Sequence, residues 1–253
     1  NGWHVVATMR DVDSADATLR SSDRALVVAL DVTDADQARS AVQSAVERFG
    51  TIDVLVNNAG HGMLGPIEQT TDDEIRRVYG VNVFGLLTVT RAVLPALRAQ
   101  GSGRILNVGS MGGFASFGAT GIYASTKFAV EGITESLGAE LAGTGIFVTV
   151  VEPGSFRTDF MDPSSMVVIA ADPDPAYEHV WAMIRSYGER RHGQVGDPAR
   201  AALAVLQIAE SPSPPVRVQL GRDAVARVER KLEQVAAELD EWRAVSTSTD
   251  FTS

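Results

Sequence analysis

The sequence has no cysteine, which excludes disulfide bonds and thiolate metal sites. Its four histidines are scattered without the spacing of a metal site, so no bound metal is expected. Basic residues number 22 against 32 acidic ones, for a net charge of −10. Because nucleic acids and anionic membranes bind basic patches, neither is an expected partner.

Also missing are an apolar run of the ~18 residues that a transmembrane helix needs and a recognisable signal peptide. We therefore expect a cytoplasmic protein. What the 253 residues do contain is an apolar fraction of 45%, enough for one large globular domain. Lysine is scarce: of the 22 basic residues only Lys127 and Lys231 are lysines.

Short apolar segments alternate with segments of helical periodicity. Buried strands are predicted at residues 3–8, 25–31, 52–57, 104–108 and 146–152, with a more polar edge strand at 216–220. Helices are predicted from an N-cap at Thr33 to Gly50, from the capping box of Thr71 and Glu74 to Gly101, over 123–143, and over 223–242. The alternation indicates an α/β fold, a doubly wound parallel sheet with helices on both faces.

Ligands of such sheets bind at the carboxyl ends of the strands. Polar or small residues follow four of the predicted strands. They are Asp31-Val32, Asn57-Asn58-Ala59-Gly60, Ser110, and Pro153-Gly154. We therefore expect these segments to line a binding site.

The segment YASTK places Tyr123 and Lys127 four residues apart at the start of a helix, so both project from one face. A phenol ionises near pH ~10 and is a poor base at neutral pH. A neighbouring ammonium favours the phenolate, so we expect Lys127 to lower the pKa of Tyr123. Such a tyrosine exchanges a proton with a hydroxyl or carbonyl oxygen. On its own, a tyrosine–lysine pair at helical spacing is more often a surface contact than part of an active site.

Taken together, these features resemble the short-chain dehydrogenase/reductase family, a Rossmann-fold group that uses NAD or NADP. The resemblance covers residues 3–160, and Ser110 lies 13 residues before Tyr123 as the family pattern expects. It implies that Tyr123 is the acid/base, that Lys127 binds the nicotinamide ribose, that Ser110 bonds the substrate oxygen, and that Asn82 holds a water relay. The cofactor-binding residues that it implies are Arg10, Asp31, Val32, Asn58, Ala59, Gly60, Tyr123, Lys127, Pro153, Gly154, Phe156 and Thr158.

The family begins with a strand, a T-G-x-x-x-G-x-G turn and a helix, and this motif does not occur in the sequence. We expect an N-terminally truncated Rossmann-like domain over residues 1–245 and a piece of a longer product, because the chain starts without Met. The missing strand would lie beside the first one present and leave an apolar slot. A loop-rich substrate insertion is predicted at 155–198 and a tail at 246–253.

NADP is the expected cofactor because Arg10 can pair with a 2′-phosphate, while Asp11 keeps NAD possible. The stretch VVATMRD resembles the branch of hydroxysteroid and retinol dehydrogenases, which implies a lipophilic small-molecule substrate, a secondary alcohol or a ketone or aldehyde. A non-catalytic or regulatory NAD(P)-binding protein of the same fold stays open, as does epimerase or dehydratase chemistry. The family resemblance also implies a homodimer or homotetramer, paired through helices 71–100 and 123–142.

Overall fold

The computed structural model describes residues 2–189 and 191–251. Its strands are β1 Val5–Met9, β2 Ala25–Ala29, β3 Val54–Asn57, β4 Gly62–Leu64, β5 Gly103–Val108, β6 Ile146–Pro153, β7 Met166–Val168 and β8 Arg217–Leu220. Its helices are α1 Ala17–Ser21, α2 Ala35–Phe49, α3 Asp72–Tyr79, α4 Leu86–Gln100, α5 Gly121–Glu140, α6 Glu178–Glu189, α7 Pro198–Glu210 and α8 Arg222–Thr247. The predicted α/β architecture with parallel strands is confirmed.

The main sheet has the strand order β3-β5-β6-β8, all parallel. Neighbouring residues of β5 show why its sequence is apolar throughout. Ile105 packs with helices α2 and α4 on one face, whereas Leu106 packs with α7 on the other. Both faces are buried, so the apolar pattern does not alternate. Strand β8 lies at the edge, as its more polar sequence predicts.

Strands β1 and β2 form a separate parallel pair, and a short pair, β4 with β7, stands apart from both sheets. Among the described residues no strand joins β1 to β3. The space between them holds a cavity of about 590 Å³, lined by apolar side chains that include Val6, Leu30, Leu55 and Val93. The slot of a missing strand, expected beside the first strand, stays a prediction.

The predicted helix of residues 71–100 consists of α3, a wide turn with π-type hydrogen bonds at Gly80–Gly85, and α4. The capping box is present, since Thr71 and Glu74 bond each other's backbone. The stretch 72–100 is long and apolar enough to cross a membrane by composition alone. In the fold, however, Val78 and Leu97 are fully buried, which is usual for core helices.

Some predicted boundaries are wrong. The N-cap of α2 is Asp34, which accepts hydrogen bonds from the backbone N–H groups of Asp36 and Gln37. Thr33 does not cap the helix, because its hydroxyl donates a hydrogen bond to the Asp31 carboxylate instead. The insertion at 155–198 contains β7 and α6, and helix α8 continues past residue 246 to Thr247. Residues 1, 190, 252 and 253, which fall in the predicted domain, insertion and tail, lie outside the described residues.

Candidate active site

The carboxyl ends of β3, β5 and β6 open on a cavity of about 1010 Å³. Strand β5 pairs with both β3 and β6, so the loops that follow the three strands lie side by side. The start of α5 forms a further wall. The predicted site residues that line this cavity are Asn58, Gly60, Ser110, Tyr123, Lys127, Pro153, Gly154, Phe156 and Thr158.

Helix α5 places Tyr123 and Lys127 one turn apart at its first turns, as the spacing predicts. Lys127 is buried, and its Nζ donates to the Val108 carbonyl at 2.7 Å. The same Nζ lies 5.9 Å from the centroid of the Tyr123 ring. Burial lowers the pKa of Lys127 to about 8, so the side chain loses its proton more readily than an exposed lysine.

The expected lowering of the Tyr123 pKa is not found. Burial of the phenol raises its pKa to about 12, and a hydrogen bond with Ser110 opposes that rise in part. Desolvation disfavours the charged phenolate more than the Ser110 hydrogen bond favours it. Tyr123 is therefore an uncharged phenol at neutral pH in this structure, and so a proton donor.

The loop after β5 brings Ser110 to the phenol. The Ser110 hydroxyl accepts a hydrogen bond from the Gly112 N–H at 3.1 Å and begins a short turn over Met111–Gly113. A Cβ on Gly113 would lie 2.9 Å from backbone atoms of Lys127. The loop therefore packs directly on α5 only because residue 113 has no side chain.

Asn82 lies in the wide turn between α3 and α4 and is 1% exposed. Its Oδ1 accepts from the His61 N–H at 3.0 Å. Its Nδ2 donates to the His61 carbonyl at 3.0 Å and to the Thr126 hydroxyl at 3.1 Å. The amide thus ties the loop after β3 to α5. A Cβ on Gly60 would lie 3.0 Å from Asn82 Oδ1, so a larger residue there would disturb this contact.

The loop after β6 is held by a residue that the sequence analysis missed. Asp223, in the first turn of α8, accepts a hydrogen bond from the Ser155 N–H at 2.7 Å. A Cβ on Gly154 would collide with the same carboxylate. An acidic residue in a first helical turn is common, and no sequence pattern connects Asp223 to Pro153-Gly154. The contact appears only when β8 pairs with β6.

The remaining predicted cofactor residues lie away from this cavity. Arg10 is exposed after β1. Hydrogen bonds from Thr33 lower the pKa of Asp31, and the charge of Arg10 lowers it further, so these two side chains are near each other. Val32 and Ala59 line the cavity between the sheets, and Asn58 lines both cavities.

One wall of the cavity beside Tyr123 is apolar. The β4–β7 pair supports it, and the Phe160 ring centroid lies 5.9 Å from that of Tyr123. Its apolar and aromatic side chains are Leu64, Phe117, Phe160, Met161, Met166 and Tyr187. Such a wall favours the apolar part of a ligand, with the polar atoms of that ligand directed to Ser110 and Tyr123.

A nicotinamide ring with its ribose fits the polar end of the cavity. Gly60 and Gly154 leave the backbone open there, and Lys127 offers a cation 3.7 Å from the position of a Cβ on Gly60. Lys127 would hold the ribose hydroxyls, and the loop with Gly154 and Thr158 lines the same cavity. The residues present therefore fit this half of a nicotinamide nucleotide.

Comparison with known proteins agrees with this chemistry. Residues 1–166 match the family described as short chain dehydrogenase. Oxidoreductase BOA17 of Botryotinia fuckeliana is 37% identical over 253 residues, covering 98% of this chain and 91% of that protein. Human retinol dehydrogenase 8 is 33% identical over 227 residues, with 86% and 72% covered. The chain belongs to the short-chain dehydrogenase/reductase family, and is an NAD(P)-dependent oxidoreductase.

Solved structures share the fold. A short-chain dehydrogenase from Streptomyces avermitilis superposes with a TM-score of 0.89 at 38% identity, covering 97% of this chain and 89% of that one. A gluconate 5-dehydrogenase from Burkholderia cenocepacia, solved with NADP and tartrate, has a TM-score of 0.70 at 25% identity, with 88% and 86% covered. A relative from Burkholderia phymatum, solved with NAD, has a TM-score of 0.75 at 25% identity, with 92% and 85% covered.

Proposed function

We propose that this protein is an NADP-dependent reductase of lipophilic ketones or aldehydes, and that it also oxidises the corresponding secondary alcohols. The observation that carries the proposal is the shape of one cavity. Ser110, Tyr123 and Lys127 lie at its polar end, and an apolar wall faces them. A carbonyl carbon in an apolar molecule would bind there with its oxygen at the two hydroxyl groups.

Tyr123 is the proton donor in this proposal. When bound, the nicotinamide supplies a hydride to the carbonyl carbon, and the phenol gives its proton to the carbonyl oxygen. A phenol with a pKa near 12 keeps its proton at neutral pH, so it is available to protonate the carbonyl oxygen. Ser110 hydrogen-bonds the same oxygen and orients it.

Lys127 and Asn82 act on Tyr123 and the cofactor in different ways. The Lys127 ammonium compensates the phenolate that forms when Tyr123 gives up its proton. Asn82 is a positioning residue, since its amide joins the loop at His61 to Thr126 of α5. The family resemblance assigns it a water relay as well.

The choice of NADP rests on Arg10, whose guanidinium follows β1 and is near Asp31. A guanidinium there can pair with a 2′-phosphate in a bidentate manner. We also propose that a further parallel strand, carrying the glycine-rich turn, fills the space between β1 and β3. The apolar cavity of about 590 Å³ at that position supports this.

A homodimer or homotetramer through residues 71–100 and 123–142 is part of the same proposal. Phe84 and Phe128 on those segments are 59% and 45% exposed, which supports a partner surface. Phe84→Glu should therefore yield a monomer in light scattering if the parent is an oligomer. A parent that is itself monomeric would contradict the assembly. We also expect a cytoplasmic location.

The activity is tested with a panel of lipophilic ketones, aldehydes and alcohols and with NADPH or NADH, followed at the nicotinamide absorbance. The protein assayed is the chain extended upstream by the proposed strand, turn and helix, because we expect the 253-residue chain to bind NADP weakly. We expect turnover of apolar carbonyl compounds, faster with NADPH. Cofactor binding without turnover of any substrate would favour the regulatory alternative. Turnover of polar hydroxy acids alone would contradict the role given to the apolar wall.

A further inference from the structure

A buried cluster of charged side chains lies behind the proposed catalytic residues. Glu131 is on α5, one turn beyond Lys127, and Glu152 is on β6, immediately before Pro153. Arg217 and Gln219 of β8 complete the cluster. Glu131 is 7% exposed and Glu152 is 0% exposed. The cluster therefore joins β8 to α5 and β6, two of the elements that form the cavity, and the proposed reaction uses none of its members.

The contacts of the two carboxyl groups are asymmetric. Glu131 Oε2 accepts from Arg217 Nε at 2.8 Å and from Arg217 Nη2 at 2.5 Å. Glu152 Oε2 accepts from Gln219 Nε2 at 2.7 Å. The other oxygen of each carboxyl, Glu131 Oε1 and Glu152 Oε1, is buried, and no donor within residues 2–189 and 191–251 reaches it.

A buried carboxylate oxygen without a donor is costly, and two of them in one cluster are costlier still. Arg217 also pairs with Glu135 Oε1 at 2.6 Å, so one guanidinium serves three carboxyl groups if all are ionised. Glu131 contacts Arg217 and Glu152 contacts Gln219, and these two residues are two apart on β8, so both carboxyl groups lie on the same face of that strand. One proton between them would satisfy both oxygens and remove the excess charge.

We infer that Glu131 and Glu152 share one proton, with Glu152 as the neutral acid, and that this carboxyl–carboxylate hydrogen bond positions α5 and the Pro153-Gly154 loop on each other. The two glutamates are positioning residues. They act on Tyr123 and Lys127 through α5, and on the cofactor through the loop after β6.

The surroundings support a neutral Glu152. Burial raises the pKa of Glu152 to about 8, and the hydrogen bond with Glu131 adds to the rise, while the Gln219 amide opposes it. The charged groups that face the pair are Glu135 from α5, Arg217 from β8, and, beyond Gly154, Asp223 from α8. Lys127 is turned away, with its Nζ on the Val108 carbonyl.

The sign of the pH dependence follows from the raised pKa. The stabilisation is complete below the ordinary glutamate value of 4.5 and is lost as the pH rises towards about 8. Glu152→Gln keeps the shape, and its amide N–H donates to Glu131 at every pH. The Tm of the parent should therefore fall relative to the Tm of this variant between pH 5 and pH 8, and the difference should stay constant above pH ~8.

Infrared spectroscopy of the purified protein tests the shared proton directly. At neutral pH we expect the carbonyl band of a protonated carboxylic acid, which should disappear as the pH passes about 8. Glu152→Gln should abolish the band. The matched control is Glu135→Gln, which removes a half-exposed partner of the same Arg217 and should leave the band in place. If the parent shows no such band, the shared proton is wrong, whether or not the variants fold.

The effect on catalysis rests on the proposed function and is measured separately. Lys127 also titrates near pH 8, so both proteins should lose kcat there, but the parent should fall more steeply than Glu152→Gln, in which only the Lys127 titration remains, whereas Glu135→Gln should keep the steeper fall. Unchanged pH profiles together with a band that titrates would overturn the positioning role. If no substrate is turned over by any of these proteins, nor by the parent extended upstream, the proposed function fails, while the band and the Tm difference still decide whether the proton is shared.

Discussion

The half of the molecule around Tyr123 and the half formed by β1 and β2 are built differently. Strands β5 and β6 are mostly buried, whereas every residue of β1 and β2 is half-buried or exposed. A chain of buried amides runs through the first half, in which Asn57 donates to Asn107 at 2.8 Å and Asn107 donates to Thr134 at 2.9 Å.

The β1–β2 pair is held by contacts nearer the surface. His4 stacks on Phe49 with the ring centroids 4.7 Å apart, and Trp3 Nε1 donates to Glu210 at 3.2 Å. The residues proposed to be catalytic thus lie at the four-stranded sheet β3-β5-β6-β8. The residues assigned to nucleotide choice lie on the separate pair. We expect substitutions in the first half to change turnover, with Lys127 affecting cofactor binding as well, and those in the second half to change cofactor affinity and selectivity without a loss of the chemistry.

Tyr123→Phe gives the largest expected effect. The variant keeps the ring that packs near Phe160 and removes only the hydroxyl, so folding and cofactor binding should survive. Turnover should fall by about 10²–10⁴-fold, as is typical when a general acid is lost. Steady-state kinetics of carbonyl reduction measure this change.

Two companion variants refine the assignment. Ser110→Ala should lower kcat with little effect on cofactor binding, whereas Lys127→Ala should lower both. A Tyr123→Phe enzyme that retains full activity would contradict the proposed mechanism. It would also remove the reason for treating this half as catalytic.

The second prediction concerns the space between β1 and β3. We expect the 253-residue chain to bind NADP weakly. A chain extended upstream by about 25–30 residues, enough for a strand, a glycine-rich turn and a helix, should bind at least about tenfold more tightly. Calorimetric titration of both chains with NADP provides the comparison. Equal micromolar binding would show that the β1–β2 half needs no added segment.

Cofactor choice gives a smaller effect. Arg10→Asp should shift the ratio of kcat/KM for NADPH over NADH towards NADH by about tenfold, because a charge-assisted hydrogen bond contributes ~1.5–3 kcal/mol. The matched control is Arg24→Asp, an exposed arginine at the opposite end of the same pair, before β2. An unchanged ratio in Arg10→Asp, or an equal shift in the control, would remove Arg10 from the nucleotide site.

In the half that holds the proposed catalytic residues, sequence patterns predicted the positions of those residues better than they predicted the pKa of Tyr123. Ordered motifs located Ser110, Tyr123 and Lys127 because each follows a strand or begins a helix. The direction of the Tyr123 pKa shift was wrong, since burial depends on packing by residues far along the chain, such as Phe160. Asp223 was missed for a similar reason, because its contact with Ser155 requires β8 to pair with β6.

The smallest prediction tests whether the two halves unfold together. Thr71 caps α3 beside the catalytic cavity, and Asp34 caps α2 beside the β1–β2 pair. Thr71→Ala should lower the free energy of unfolding by about 1 kcal/mol because the helix loses its N-cap hydrogen bond. Asp34→Ala should also be destabilising, because it likewise removes an N-cap. Urea unfolding followed by far-UV circular dichroism and by tryptophan fluorescence measures both.

The Asp34 cap also depends on pH. The hydrogen bond from the Gln37 N–H lowers the pKa of Asp34, so the stabilisation that this cap provides should be lost as the pH falls below the ordinary aspartate value of 3.8. If the halves form one cooperative unit, each variant should shift a single transition seen identically by both probes. Because α2 packs on the main sheet through Ala38 and Ala41 as well as on β2, we expect this single transition, and a variant that shifts the two probes differently would contradict it.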